Sequence, residues 1–170
     1  MSLSRLRTLF LPAALASLAL LGGSLSLLPV SGIEGCGLCY SQRGVLGLYL
    51  LLSMCALAHT PSERGDRRYA WMLFMCAALG SWLAARQVWL QGGAWSMTAC
   101  PAPVAALTEL PVGQLAHRLL LGLPDCSPIR WSFLDLTLPE WSLLAFLALA
   151  CLPLSYLLTN RFRDWVNEYA

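Results

Sequence analysis

Cys36, Gly37, Leu38 and Cys39 place two thiols three residues apart, a spacing at which they can close on each other and reopen by exchange with another thiol. The pair stands just ahead of an apolar run that begins at Gly44. Cys39 therefore falls at a helix start, where unpaired backbone amides and the positive end of the dipole favour a thiolate. Arg43 lies four residues past Cys39, one turn on and on the same face, so its guanidinium can sit against that sulfur. The same motif serves zinc sites and inert loop disulfides, but so short a ring removes little chain entropy and is better suited to exchange. Haem attachment is excluded because Tyr40, not histidine, follows Cys39.

A second pair, Cys100 and Cys126, brackets 25 residues that include Pro101, Pro103, Pro111 and Pro124. A purely structural disulfide between them would stabilise that loop by about 3–4 kcal/mol in the chain-entropy picture. An exposed one would be an electrophile open to another protein's thiolate. Spacing does not decide between the two.

The elements that must position these residues are set by hydropathy. Of 170 residues, 58% are hydrophobic and 12% charged, and the mean hydropathy is +0.63, which describes a membrane protein of one compact unit over residues 1–170. Leu9 to Val30 carries no charge for 22 residues, enough to cross a bilayer and longer than the apolar core of a cleaved signal peptide. Further runs cover Gly44 to His59, Tyr69 to Ala85 extended to about residue 90, and Trp141 to Thr159. The expected fold is thus an all-α bundle of four transmembrane helices, with loops at about 31–43 and 91–140 on one side. All 11 basic residues are arginines. Arg5, Arg7, Arg64, Arg67, Arg68, Arg161 and Arg163 fall on one side, against Arg43, Arg118 and Arg130 on the other, which puts both termini in the cytoplasm.

The segment PSERGDRR suits a solvated inner turn. Trp89, Trp95, Trp131 and Trp141 sit near the outer boundaries, as interfacial aromatics do. In the long outer segment, VAALTEL and VGQLAHRLLLGL each fit a short amphipathic helix on the bilayer surface, broken at Pro111. With a net charge of +2 there is no basic field to gather nucleic acid.

On this topology Cys36, Cys39, Cys100 and Cys126 lie outside, in a compartment that in a bacterium favours disulfides, and they allow three pairings. Cys55, Cys76 and Cys151 lie within spans and are expected to pack between helices as small apolar residues. One pair beside an arginine at the membrane surface and another on a long loop point to a relay from solvent to lipid. Arg86, near the outer end of the third span, is a candidate by its place in the membrane, its alternative role being a headgroup contact. Glu34 and Asp125 read as solvated loop acids, and His59 and His117 as surface residues.

Three stretches, GCGLCYSQR from Gly35, AARQV around Arg86 and CSPIRWSFLDLTLPEW from Cys126, resemble the DsbB disulfide bond formation proteins of the bacterial inner membrane, and the likeness covers nearly the whole chain. It implies a protein-dithiol:quinone oxidoreductase whose active face is periplasmic and which reoxidises a soluble DsbA-like thiol oxidase, with ubiquinone or menaquinone as acceptor. It implies disulfides Cys36–Cys39 and Cys100–Cys126. Cys100 resembles the cysteine attacked by the partner, and Cys126 would then attack Cys36. Cys39, released as a thiolate, would form the charge-transfer adduct with the quinone ring, and Arg43 would hold that thiolate and the quinone's developing negative charge. Arg86, within reach of the same leaflet, is a further candidate for quinone binding by its place in the membrane and not by the resemblance. Thiol exchange needs a stable leaving thiolate, which the helix start and Arg43 supply at Cys39.

Other readings fit less well. Vitamin-K-epoxide-reductase-like oxidases share a bundle and a CxxC, but carry it near the last spans. A Cys₄ zinc site is disfavoured by the wide spacing and the lack of a second CxxC. In a non-catalytic four-helix scaffold the disulfides would only brace loops, and the outer cysteines would resist mild reductant and cycle with nothing.

Overall fold

The computed structural model describes residues 2–31, 37–59, 63–92, 111–114, 132–133 and 136–169, and the side chains of 9–26, 38–59, 64–89, 111–114 and 136–166 among them. Four long helices dominate: α1 (Ser2–Ser31), α2 (Gly37–His59), α3 (Glu63–Gly92) and α4 (Leu138–Tyr169). A two-stranded antiparallel ribbon of β1 (Ser132–Phe133) and β2 (Leu136–Thr137) pairs Ser132 with Thr137 and leads into α4. Each helix packs on its chain neighbour, and α4 closes the ring against α1.

The outside of the bundle is as apolar as its inside. Leu15, Leu51, Met75, Trp82, Leu144 and Leu158 are all exposed, a distribution that water does not tolerate on a helix surface but a bilayer requires. Among the described residues, three helices are long and apolar enough to cross a membrane, over Leu9–Ser26, Leu38–His59 and Leu138–Val166. The third helix is not one of them: its apolar stretch is bounded by Arg67 and Arg68 at one end and Arg86 at the other.

With no water to squeeze out between helices, close backbone approach holds such a bundle together. Small residues mark the contacts. Ala70, Ala77 and Ala84 recur every seven residues on α3 and are fully buried, as are Ala13 and Ser17 on α1 and Ser53 and Ala56 on α2. The two buried serines satisfy themselves locally, Ser17 donating to the Ala13 carbonyl at 2.8 Å and Ser53 to the Tyr49 carbonyl at 2.9 Å. A proline stands inside α4, at Pro153. It has no N–H for the carbonyl four residues back, and the Tyr49 hydroxyl of α2 donates to that carbonyl, Leu149, at 3.0 Å.

Element limits differ from the hydropathy limits in informative ways. α2 starts at Gly37, ahead of the apolar run at Gly44, so Cys39 to Arg43 are helical. α4 starts at Leu138 behind a capping box: the Glu140 carboxylate accepts from the Thr137 backbone N–H at 2.6 Å and from its hydroxyl at 2.9 Å. It then runs past Thr159 to Tyr169, because nothing in the sequence stops a helix there. Most of PSERGDRR is not a turn: α3 begins at Glu63, where acids are favoured by the dipole, and Asp66 is buried. Of the outer amphipathic segments, only residues 111–114 are described, a helical turn over 112–114 in which the Gln114 N–H donates to the Pro111 carbonyl at 2.9 Å.

Of the three cysteines expected between helices, only Cys76 is there, its thiol donating to the Val45 carbonyl at 3.4 Å. Cys55 and Cys151 are exposed on the outside of the bundle, since their helix faces point away from the neighbouring helices.

Candidate functional site

A cavity of about 610 Å³ opens among all four helices, at the end of the bundle where α2 begins and α3 ends. Its walls come mainly from α1 and α4. Leu20 and Gly23 line one side, while Trp141, Phe146 and Leu149 line the other. Its polar end is built by α2 and α3, which contribute Cys39, Gln42, Arg43 and Gln87. The helical register explains the cluster: residues 39, 42 and 43 share one face of α2 because three and four residues make one turn.

Cys39, in the first turns of α2, is half-buried. Its sulfur accepts a hydrogen bond from the Gln87 side-chain nitrogen at 3.3 Å. Gln42 in turn donates to the Gln87 carbonyl oxygen at 2.7 Å. Both glutamines are almost fully buried.

Arg43 is anchored on the other side. Its Nη2 donates to the Ser24 carbonyl of α1 at 3.1 Å, and its guanidinium lies 5.7 Å from the centre of the Tyr40 ring. Its Nη1 is buried and has no hydrogen-bond partner among the described residues. A buried cationic donor without an acceptor is costly unless something else supplies one.

Of the site residues expected from sequence, Cys39 and Arg43 are brought together on one cavity wall. Arg86 is half-buried on α3 next to Gln87, and it is Gln87, not Arg86, that faces the cavity. Cys36, Cys100 and Cys126 lie outside the described residues, as do the expected disulfides Cys36–Cys39 and Cys100–Cys126. Sequence reasoning passed over Gln42 and Gln87, although each left a signal. Gln42 is three residues past Cys39, and Gln87 is an uncharged amide just past Arg86, followed by the apolar residues Val88, Trp89 and Leu90, where a buried polar group needs a partner.

The sequence profile described as Disulfide bond formation protein DsbB matches residues 6–155. The chain is 52% identical over 163 residues to Disulfide bond formation protein B 2 of Pseudomonas entomophila (strain L48), covering 96% of this chain and 97% of that one. It is 52% identical over 160 residues to the protein of the same name from Pseudomonas putida strain KT2440, covering 94% and 95%. Disulfide bond formation protein B 1 of Pseudomonas aeruginosa PAO1 is 40% identical over 150 residues, covering 87% and 92%. No solved structure matches the chain. A profile match across most of the length, joined by relatives of this identity and coverage, leads to one conclusion: the chain belongs to the DsbB family of disulfide bond formation proteins.

Proposed function

We propose that this chain is a quinone-linked thiol oxidase of the bacterial inner membrane that reoxidises a periplasmic DsbA-like dithiol oxidase. In this reading α3 also crosses the membrane, as the third of four spans, both termini are cytoplasmic and the cavity opens toward the periplasmic leaflet. The observation that carries it is the placing of the Cys39 sulfur and the Arg43 guanidinium on one wall of an apolar cavity.

The residues present suit a quinone. A volume of about 610 Å³ is in the range that holds a small ligand, and its apolar walls suit a ring with an isoprenoid tail. The buried Nη1 of Arg43 is a donor placed for a carbonyl oxygen that gains negative charge, where a fixed cation acts most strongly. Arg86 adds a further positive charge at the same end of α3. A quinone held there supplies the acceptor, taking up two electrons and two protons and leaving as the quinol.

The chain's own residues carry the exchange. The partner's thiolate attacks Cys100, forming a mixed disulfide and releasing Cys126 as a thiolate. The partner's second thiol then displaces Cys100, so the partner leaves with a disulfide, and Cys100 and Cys126 are left reduced. Cys126 attacks Cys36, and Cys39 is released as a thiolate at the helix start. Cys100 resolves that bond, restoring Cys100–Cys126 and leaving Cys36 and Cys39 reduced. Two electrons and two protons then leave this pair, and the Cys36–Cys39 disulfide closes again.

The test follows the absorbance of added ubiquinone or menaquinone when the purified, detergent-solubilised protein meets a reduced DsbA-like partner, beside Cys39→Ser. Catalytic loss of the oxidised-quinone band in the native protein alone is the expected result. Full turnover by Cys39→Ser overturns the assignment.

A further inference from the structure

The sulfur at the cavity wall has a neutral donor as well as a nearby cation. We propose that Gln87 is a catalytic hydrogen-bond donor to the Cys39 sulfur and that Gln42 is a positioning residue that fixes which way the Gln87 amide faces. The proposal rests on the reading of Cys39 as the sulfur that hands electrons to the quinone.

A primary amide has two ends, a carbonyl that only accepts and an NH₂ that only donates. Gln42 occupies the Gln87 carbonyl oxygen from α2 at 2.7 Å, which leaves the NH₂ turned to the sulfur at 3.3 Å. The flipped amide would set NH₂ against NH₂ on one side and a carbonyl oxygen against the sulfur on the other. The donor orientation at Cys39 is thus set by Gln42, not by Gln87 alone. Both amides are buried, at 6% and 8% exposure, where a leucine of similar volume would have no polar groups to satisfy. Retaining two amides here makes sense if the atom they serve becomes charged, because a hydrogen bond to an anion is about twice as strong as one between neutral groups.

The two flanks of the cavity then divide the negative charge. Arg43, tied back to the Ser24 carbonyl of α1, keeps its Nη1 for the oxygen of the acceptor. Gln87, on α3, holds the sulfur. When Cys39 is released from Cys36, its thiolate meets a donor already in place, and no side chain has to turn toward it.

A purely structural amide pair, stapling α2 to α3, is distinguished by a pH profile. In the full-length Cys36→Ser protein in detergent, the pH midpoint for alkylation of Cys39 by iodoacetamide is read by mass spectrometry of the modified peptide. Gln87→Leu is expected to raise that midpoint by about one to two pH units, the worth of a hydrogen bond to a charged group. Gln87→Glu raises it further, because a carboxylate repels the thiolate. Gln42→Leu, which leaves Gln87 in place, raises it less, and the double leucine variant goes no further than Gln87→Leu. Unchanged midpoints in Gln87→Leu and Gln87→Glu, or additive effects of the two leucine variants, overturn the proposal. If the native protein reduces no quinone, the functional reading falls instead; unchanged midpoints alongside normal quinone turnover refute the glutamine pair alone.

Discussion

The Tyr49 hydroxyl donates at 3.0 Å to the carbonyl of Leu149, the one carbonyl of α4 that Pro153 cannot serve because it has no N–H. Both residues are buried, and Leu149 lines the cavity, so a bond from α2 completes the helix beside the candidate site. Tyr49→Phe leaves that acceptor unpaired and is expected to cost about 1–3 kcal/mol. Pro153→Ala restores a helical N–H to the same carbonyl, so the Phe substitution costs less in that background. Unfolding of the two single variants and the double variant in detergent checks this, and strict additivity sinks the idea that Tyr49 stands in for the missing donor.

Arg43 separates function from stability. Its Nη1 is a buried donor with no partner among the described residues, so the folded state bears a desolvation cost that Arg43→Met removes, offsetting the lost bond to the Ser24 carbonyl. The expected outcome is an unchanged or higher Tm with quinone-limited turnover down about a hundredfold, the usual loss when one preorganised donor is removed. Arg43→His retains part of the charge and is expected to weaken the quinone step more than exchange with the partner. Rapid mixing that follows the two steps separately checks it, and equal slowing of both counts against the assigned role.

Much of this was legible in the sequence, and what was not has a common cause. Hydropathy located α1, α2 and α4 because a chain segment in lipid must be apolar on every side. It did not give their ends, because helices do not stop where apolarity stops: Gly37 to Arg43 is polar, yet it is the start of α2, in keeping with the reading of Cys39 at a helix start. The same failing hid the site's geometry. Cys39 and Arg43 are one turn apart and could be paired by counting, whereas Gln87 meets Cys39 only because α3 packs on α2, a relation 48 residues apart in sequence. Cys55 and Cys151 were expected inside for a related reason: with both faces of a helix apolar, no periodicity tells the inward face from the outward one.

The start of α4 is set by Thr137 and Glu140, and the residues just after Thr137, Leu138 and Pro139, form part of the cavity wall. Glu140→Gln retains an acceptor but loses the charge that answers the helix N-terminus. Glu140→Ala loses both, and so unties the Thr137 N–H. The expected order of Tm is native, then Gln, then Ala, with quinone affinity weakening in the same order as the wall loosens. An alanine variant as stable and as tight for quinone as the native protein rules out the capping box as a support for the cavity.

Gly80 determines where Phe146 can stand, and through it the width of the cavity. Any Cβ at Gly80 would overlap the Phe146 ring, and that ring is buried against α3 while forming part of the cavity wall. Glycine costs a helix interior about 1 kcal/mol relative to alanine, so on local grounds Gly80→Ala should stabilise α3. Packing reverses the sign, because the ring is held between helices and overfilled cores typically lose about 1–3 kcal/mol. The ring's way out of the overlap is toward the cavity, which narrows it. Gly80→Ala is therefore expected to lower Tm and raise the KM for quinone, with the rate of thiol exchange with the partner unchanged. Phe146→Leu removes the ring and is expected to rescue both properties in the Gly80→Ala background. Failure of that rescue, or a Gly80→Ala variant more stable than the native protein, shows that the contact does not set the wall.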